Sequence, residues 1–245
     1  MALSIMTRDI SPDVGKIRLL LTEPHPCSYL EGRSSTTAFV DPDLEIDAAL
    51  YGRMSAMGFR RSGPYLYTPY CNNCHACVPA RIPVMDFVAN RAQKRCWKRN
   101  RDIEVAQVDS IDFAEHYPVY DAYISDRHRS GDMYPPTQDQ FEQFLGNTWD
   151  CTNFLEFRED GRLIGCAVVD VLPDSLSAIY TYFDPEESKR SLGTLAVLFQ
   201  VKLAQKLAMD YLYLGYWVSD CQKMNYKTNY HPLELLQDNS WSLYR

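Results

Sequence analysis

The sequence predicts an α+β protein in two parts, residues 1–105 and 106–245, and three observations carry that expectation. In the second half, three runs rich in apolar, aromatic and β-branched residues (152–158, 163–171 and 176–183) are separated only by Glu159-Asp160-Gly161 and Pro173-Asp174-Ser175. Such short turns join antiparallel strands. A long amphipathic helix pattern follows over 189–209, apolar at Leu192, Leu195, Leu198, Leu203 and Leu207. Finally, the charge switches from basic to acidic between Asp102 and Asp112, with no low-complexity linker and no internal repeat.

The remaining elements follow in chain order. Lys16-Ile17-Arg18-Leu19-Leu20-Leu21 reads as a strand, ended by Pro24 and Pro26. Residues 43–57 carry Leu44, Ala48, Tyr51 and Met54 at helical spacing, with Gly58 as the stop. Tyr65-Leu66-Tyr67 alternates toward a cysteine cluster, and 91–101 reads as a basic helix with Arg91, Arg95 and Lys98 on one face, flanked by Lys94 and Arg101. Helices are expected over 113–129, 138–145 and 221–228, and a strand over 211–214. Three antiparallel strands, then helix, strand and helix, is the order of the acetyltransferase-like (GNAT) α+β fold. In acetyltransferases the turn into the long helix has the form Arg/Gln-x-x-Gly-x-Gly/Ala, and its amides hold a coenzyme A pyrophosphate. Here it reads Arg190-Ser191-Leu192-Gly193-Thr194-Leu195. Leu195 is expected to crowd a pyrophosphate, so an acyl-CoA site reads as altered or lost. The plainer reading of this segment is that Ser188 caps a helix.

Composition narrows the function. A chain of 245 residues with 46% hydrophobic and 23% charged residues has an ordinary globular composition, and 17 Tyr against 11 Gly suit a well-packed protein with amphipathic pockets. No run of eighteen apolar residues exists, which excludes a membrane-spanning helix. Met1 to Val14 lacks the basic and apolar regions of a secretory signal, so the eight cysteines are expected as thiols or metal ligands in the cytoplasm. The net charge is −7, yet residues 53–101 hold ten Lys and Arg against the single acid Asp86, a local balance of +9 that leaves about −16 elsewhere. That polarity points to one surface built for a polyanion, with Arg91, Lys94, Arg95, Lys98 and Arg99 as its candidates. Cys71-Asn72-Asn73-Cys74-His75-Ala76-Cys77 supplies three soft ligands, which Cys27 or His75 would complete for zinc or an iron–sulfur cluster. The alternative is that these are small thiols packing a loop. His25, His116 and His231 read as structural, whereas His128 stands between Arg127 and Arg129, which would depress its pKa.

Taken together, the motifs resemble a known family, the bacterial aminoacyl-tRNA–protein transferases, and within it the aspartate/glutamate leucyltransferases, which are related to the eukaryotic arginyltransferases. The resemblance rests on Cys27-Ser28-Tyr29-Leu30-Glu31-Gly32, Gly58-Phe59-Arg60-Arg61-Ser62-Gly63 and the cysteine cluster with Arg81 and Pro83. It continues through Arg127-His128, Gly131-Asp132-Met133, Tyr180-Thr181-Tyr182-Phe183-Asp184-Pro185 and Ser191-Leu192-Gly193. It closes on Tyr213-Leu214-Gly215-Tyr216-Trp217-Val218 and Cys221-Gln222-Lys223-Met224-Asn225-Tyr226-Lys227.

The resemblance implies an N-terminal transferase domain beside the GNAT-like domain, and transfer of leucine from Leu-tRNA to the N-terminal Asp or Glu of proteins, marking them for degradation. Eukaryotic members carry a Cys-x-x-Cys and an adjacent Cys-Cys; here these become Cys27-Ser28-Tyr29 and Cys74-His75, a departure from the iron–sulfur set proposed for them. No cofactor is required, because the ester is already activated. Arg81, with Lys227 as second choice, is the candidate reader of the acceptor carboxylate, and Tyr29, Ser191 and Gly193 are further substrate-binding candidates. Tyr180, Tyr182 and Tyr226 are candidates to orient the amine or the oxyanion, and the basic helix would hold the tRNA. Arginine as donor, a CoA-dependent N-acetyltransferase and a metal-dependent nucleic-acid-binding protein remain alternatives at this point.

Overall fold

A computed structural model describes residues 4–11, 15–146 and 149–245; the N-terminal stretch read above for an export signal lies partly outside these. The first sheet is antiparallel and takes the strands β1 (Ser4–Ser11), β2 (Gly15–Leu21), β5 (Thr37–Val40), β6 (Arg60–Ser62) and β7 (Tyr65–Pro69), in the order β1-β2-β5-β7-β6. A two-residue pair, β3 (His25–Pro26) with β4 (Ser34–Ser35), pins the loop between β2 and β5. Helix α1 (Ala48–Ala56) starts later than its apolar spacing suggested, because the Asp47 carboxylate accepts from the Leu50 amide at 2.6 Å and so caps the helix there. Tyr51 and Met54 of α1 join Leu19, Val40 and Leu66 in the core of this sheet.

The second sheet is larger. Its strands are β8 (Val78–Pro83), β9 (Glu104–Val108), β10 (Thr152–Glu159), β11 (Arg162–Val171), β12 (Ser175–Phe183), β13 (Tyr211–Trp217), β14 (Glu234–Gln237) and β15 (Ser240–Leu243), in the order β15-β14-β8-β13-β12-β11-β10-β9. The β10–β11 hairpin turns at Asp160 and Gly161, both at positive φ, as a tight two-residue turn requires. Helix α5 (Leu192–Lys206) covers one face, and α2 (Arg91–Arg99) lies against α5. Helices α3 (Phe113–Arg127) and α4 (Gln138–Phe141), the latter prolonged by a π-turn over Glu142–Gly146, cover the other. Alternation along each strand divides the core between the faces: Leu155 and Phe157 go toward α5, Phe154 toward α3.

Several expectations change. The division after residue 105 falls inside β9, and β8, drawn from the first part, is inserted between β13 and β14 of the second sheet. Charge composition does not see strand pairing, which sets the real layout. The helix expected over 189–209 is broken: a 3-10 turn (Pro185–Arg190) ends at Ser191, whose φ of 58° is left-handed, and α5 begins at Leu192. Ser188 therefore caps nothing. From α2, the Cys96 thiol donates to the carbonyls of Arg190 and Ser191 (3.6 Å each), and the side-chain amide of Asn100, the C-cap, donates to that of Arg190 (2.9 Å). The expected helix at 221–228 is a 3-10 turn, Gln222–Asn229. Among the described residues no helix is long and apolar enough to cross a membrane.

The two sheets are clamped by one buried ion pair. Arg61 of β6 donates to Asp170 of β11 through Nε (2.6 Å) and Nη2 (2.9 Å), and Asp170 also accepts from Tyr51 and Thr152.

Candidate active site

The site forms where β12 and β13 part. They pair in parallel only from Ser175↔Tyr211 to Ser177↔Tyr213; beyond that β12 runs on to Phe183 and β13 to Trp217 without pairing to each other. A bulge between Val168 and Val169 in the pairing of β11 with β12 bends β12 away on one side. On the other, the β13 register with β8 shifts between Tyr213 and Tyr216, where Gly215 sits at a φ of 79°. A side chain at 215 would be strained there and would stand 3.7 Å from Lys227 Nζ.

Motif blocks far apart in sequence meet at this opening. Ser28 donates to Asp132 at 2.6 Å, laying the loop after Cys27 onto the loop after α3. Met133 of that loop accepts from the Tyr180 hydroxyl at 3.6 Å. Tyr123 packs on Tyr180 (6.3 Å between centroids), Phe183 (4.8 Å) and His128 (5.2 Å). Gly193 lies over Phe183, with room for no more than ordinary contact. Tyr226 is 46% exposed as a residue, and its hydroxyl is pushed up to about 12 by burial and by the neighbouring Tyr123. Burial raises the Tyr180 hydroxyl well above its ordinary value as well. Both oxygens stay protonated at neutral pH and are donors. His128 is depressed, by burial first and by Lys223 and Arg127 after it, so the cations expected to act on it are the lesser cause.

The second cluster lies deeper, around Lys227. Its Nζ donates to the Tyr216 carbonyl, and burial, with Arg60 next in importance, lowers it to about 7. The hydroxyl of Tyr29 is buried near Tyr67, Cys77, Cys221 and Cys27, and rises accordingly. Cys77, buried near Cys27, Cys71, Cys74 and Cys221, is pushed up to about 12 and is a thiol. Among the described residues no three His, Cys, Asp or Glu side chains stand in a metal-holding arrangement, and Cys27, Cys71, Cys74 and Cys77 form no disulfide. The lysine carries a testable consequence. Its folded pKa is depressed, so the unfolded chain binds the extra proton from about pH 7 up to the free-lysine value near 10.4, and stability rises with pH across that window by ~1.4 kcal/mol per unit. Urea titrations from pH 7 to 9 should show this slope in the wild type and lose it in Lys227→Met; equal slopes would refute it.

Two expected site residues are placed elsewhere. Arg81 is committed: its Nε donates to Glu234 at 2.7 Å and its guanidinium stacks between Tyr211 (3.5 Å) and Trp241 (4.1 Å), so it fastens β8 to β14 and does not face the opening. Tyr182 is fully buried, with its hydroxyl 2.6 Å from His116 Nδ1, while His116 Nε2 is 3.0 Å from Glu156. The reason given for a lost CoA site also changes. Leu195 is 4% exposed and faces the core, so its bulk does not fill the turn. What stands there instead is acid: Arg190 is held by Asp102, Glu159 and Glu187, and Arg162 by Asp184, Glu187 and Glu159. Carboxylates in that number disfavour a pyrophosphate. Sequence reading also missed Tyr123, and it named Arg60 and Cys221 only as members of motif blocks, with no role at the site.

The basic helix is a surface. Asn90 and Gln93 form a capping box, Gln93 and Cys96 are buried, and Trp97 stacks on Phe199 with Lys202 3.8 Å above the ring. Arg91, Lys94, Arg95, Lys98 and Arg99 are exposed, and none is paired with a carboxylate among the described residues. Arg99 donates to the Lys189 carbonyl.

Comparison with known proteins places this arrangement. Residues 25–95 match the family model of the arginine-tRNA–protein transferase N terminus, and 115–237 that of its C terminus. An aspartate/glutamate leucyltransferase of Saccharophagus degradans is 50% identical over 230 residues, 94% of this chain and 98% of that one. The chain belongs to this transferase family. A family member from Hahella chejuensis, also described as an aspartate/glutamate leucyltransferase, is 51% identical over 220 residues, 90% of this chain and 94% of its own. The crystal structure of FemX superposes with a TM-score of 0.53 over 95% of this chain and 86% of that one at 10% identity, a likeness of fold alone. The transferase family thus has here a GNAT-like α+β fold, as the order of elements predicted.

Proposed function

We propose that the protein moves leucine from Leu-tRNA onto the N-terminal Asp or Glu of acceptor proteins, in the cytoplasm, creating a degradation signal. The observation that carries this reading is the convergence of the loop after Cys27, the end of β12 and the turn after β13 at one opening in the sheet, beside an unpaired basic helix. Tyr123, Tyr180, Phe183, Met133 and Phe144 form an aromatic and apolar cluster against which the donor side chain would rest. Asp132, next to Met133, is taken by Ser28, so the cluster suits a leucyl side chain better than an arginyl one.

The chemistry needs no cofactor. The acceptor's α-amine, with a pKa of about 7.7–8.0, attacks the ester carbonyl; the C–N bond forms, the ribose C–O bond breaks, and the amine's proton leaves with the tRNA hydroxyl. Holding amine and ester together supplies an effective molarity of about 10⁵–10⁸ M. Tyr180 and Tyr226, both protonated donors, would steady the oxyanion, with Tyr29, Ser191 and Gly193 as further substrate-binding candidates.

The deciding assay offers purified protein Leu-tRNA, Arg-tRNA or acetyl-CoA with peptides beginning Asp, Glu or Ala. Leucine on the Asp and Glu peptides alone is the expected result; arginine transfer would change the donor, and acetylation would overturn the reading.

A further inference from the structure

Among the described residues three arginines are buried: Arg60 at 4% exposure, Arg61 at 6% and Arg81 at 8%. Two of them hold a carboxylate. Arg61 takes Asp170 side-on through Nε and Nη2, and Arg81 takes Glu234 through Nε. Arg60 holds none. Only its Nη1 is satisfied, by the carbonyls of Ser55 (2.9 Å) and Phe59 (2.5 Å). Its Nε and Nη2, the same pair with which Arg61 takes Asp170, have no partner, nor does Ser55 Oγ beside it.

That edge is enclosed, with Nε and Nη2 both shielded from solvent. The guanidinium lies over the rings of Tyr213 (4.8 Å) and Tyr216 (5.9 Å), which occupies its face, while its donors point out along its plane. Lys227 is a second buried cation within electrostatic reach, and neither residue is ion-paired among the described residues. A buried, uncompensated guanidinium is costly enough that folds avoid it unless something pairs with it. Bidentate pairing with a carboxylate is the geometry an Arg side-on edge fits best.

We infer that the Nε–Nη2 edge of Arg60 receives the side-chain carboxylate of the acceptor's N-terminal Asp or Glu, with Lys227 as the neighbouring positive group. The inference rests on the transfer to acidic N-termini proposed above, and it moves the reader's role from Arg81 to Arg60. The placement agrees with the fold. Leu212 and Leu214 face α5, so alternation puts Tyr213, and Arg60 upon it, on the opposite face of the sheet. The tRNA helix lies on the α5 side, and acceptor and donor would meet across the gap between β12 and β13. Selectivity follows from the same edge, because an Asn or Gln amide would set its own N–H group against an N–H of the fork.

The test compares wild type, Arg60→Gln and Arg60→Lys, as full chains, in leucyl transfer to two peptides that differ only in Asp or Asn at the first position. The wild type should prefer Asp by at least about 100-fold in kcat/KM. Arg60→Gln should bring that ratio near one, mostly through KM, with Leu-tRNA binding unchanged, and Arg60→Lys should restore part of it. An Asp/Asn ratio in Arg60→Gln equal to that of wild type overturns the inference while the leucyltransferase reading stands. A wild type that transfers leucine to neither peptide removes that reading, and the inference with it. Should Arg60→Gln also lose tRNA binding, the wild type decides: the Arg60 Nε–H resonance should shift on adding the Asp peptide and not the Asn peptide, and no shift with Asp overturns the inference.

Discussion

Replacing Asp170 with Asn is expected to destabilise the protein by about 3–5 kcal/mol, the usual cost of breaking a buried ion pair from one side. Asp170 is wholly buried and accepts from four donors: Arg61 Nε and Nη2, the Tyr51 hydroxyl at 2.8 Å and the Thr152 hydroxyl at 2.7 Å. An amide keeps one acceptor oxygen, turns an N–H₂ group toward donors, and leaves the Arg61 charge without its counter-ion. Position adds to the effect. Arg61 is on β6 and Tyr51 on α1, whereas Asp170 and Thr152 belong to β11 and β10, so the same carboxylate joins the two sheets. The control is Arg18→Ala, which breaks a pair with Asp41 that is half open to water on the arginine side. That change is expected to cost no more than about 1 kcal/mol. Urea denaturation of both variants beside wild type is the measurement, and similar small losses in the two would refute the clamp.

The second large effect is on tRNA. Lys94, Arg95 and Lys98 stand exposed on α2 without carboxylate partners, so changing all three to Ala removes charge from the surface while leaving the buried contacts of Gln93 and Cys96 in place. Each phosphate contact contributes about 0.7–0.9 to the slope of log affinity against log salt, so the triple variant should lose roughly 2–3 units of slope and bind Leu-tRNA far more weakly at low salt. Fold and acceptor selectivity should persist. An unchanged slope, measured by filter binding between 50 and 200 mM salt (about the range over which such contacts titrate), would move the tRNA surface elsewhere.

What the sequence disclosed, and what it hid, follows from the range of the forces involved. The hairpins over β10–β12 and the basic helix from Arg91 are written in local pattern: alternation, an Asp-Gly turn, and cations spaced along one helical face. Those readings hold. The arginines show the opposite case. Arg60 and Arg81 are both strand cations to a sequence reader, and their roles differ because Glu234 lies beside one and, among the described residues, no acid pairs with the other. Nothing local encodes that partner. Tyr182 misled for the same reason, since its hydroxyl is taken by His116 from a helix far back in the chain. Ser191 is a subtler failure: the apolar spacing begins only at Leu192, just past the left-handed residue, and periodicity records which side chains are buried and not where the backbone starts to turn evenly.

The insertion of β8 has a consequence for how the molecule is made. β8 is synthesised early, yet its two neighbours, β13 and β14, are among the last strands to leave the ribosome. Until then it is a strand with both edges bare, next to the helix that carries the cations. Pairings of such long sequence separation are slow to form. The nascent chain therefore cannot complete an N-terminal folding unit and then a C-terminal one. Acceptor fork, tRNA helix and sheet opening all become functional together, and a ribosome that stalls before β13 releases no half-active transferase.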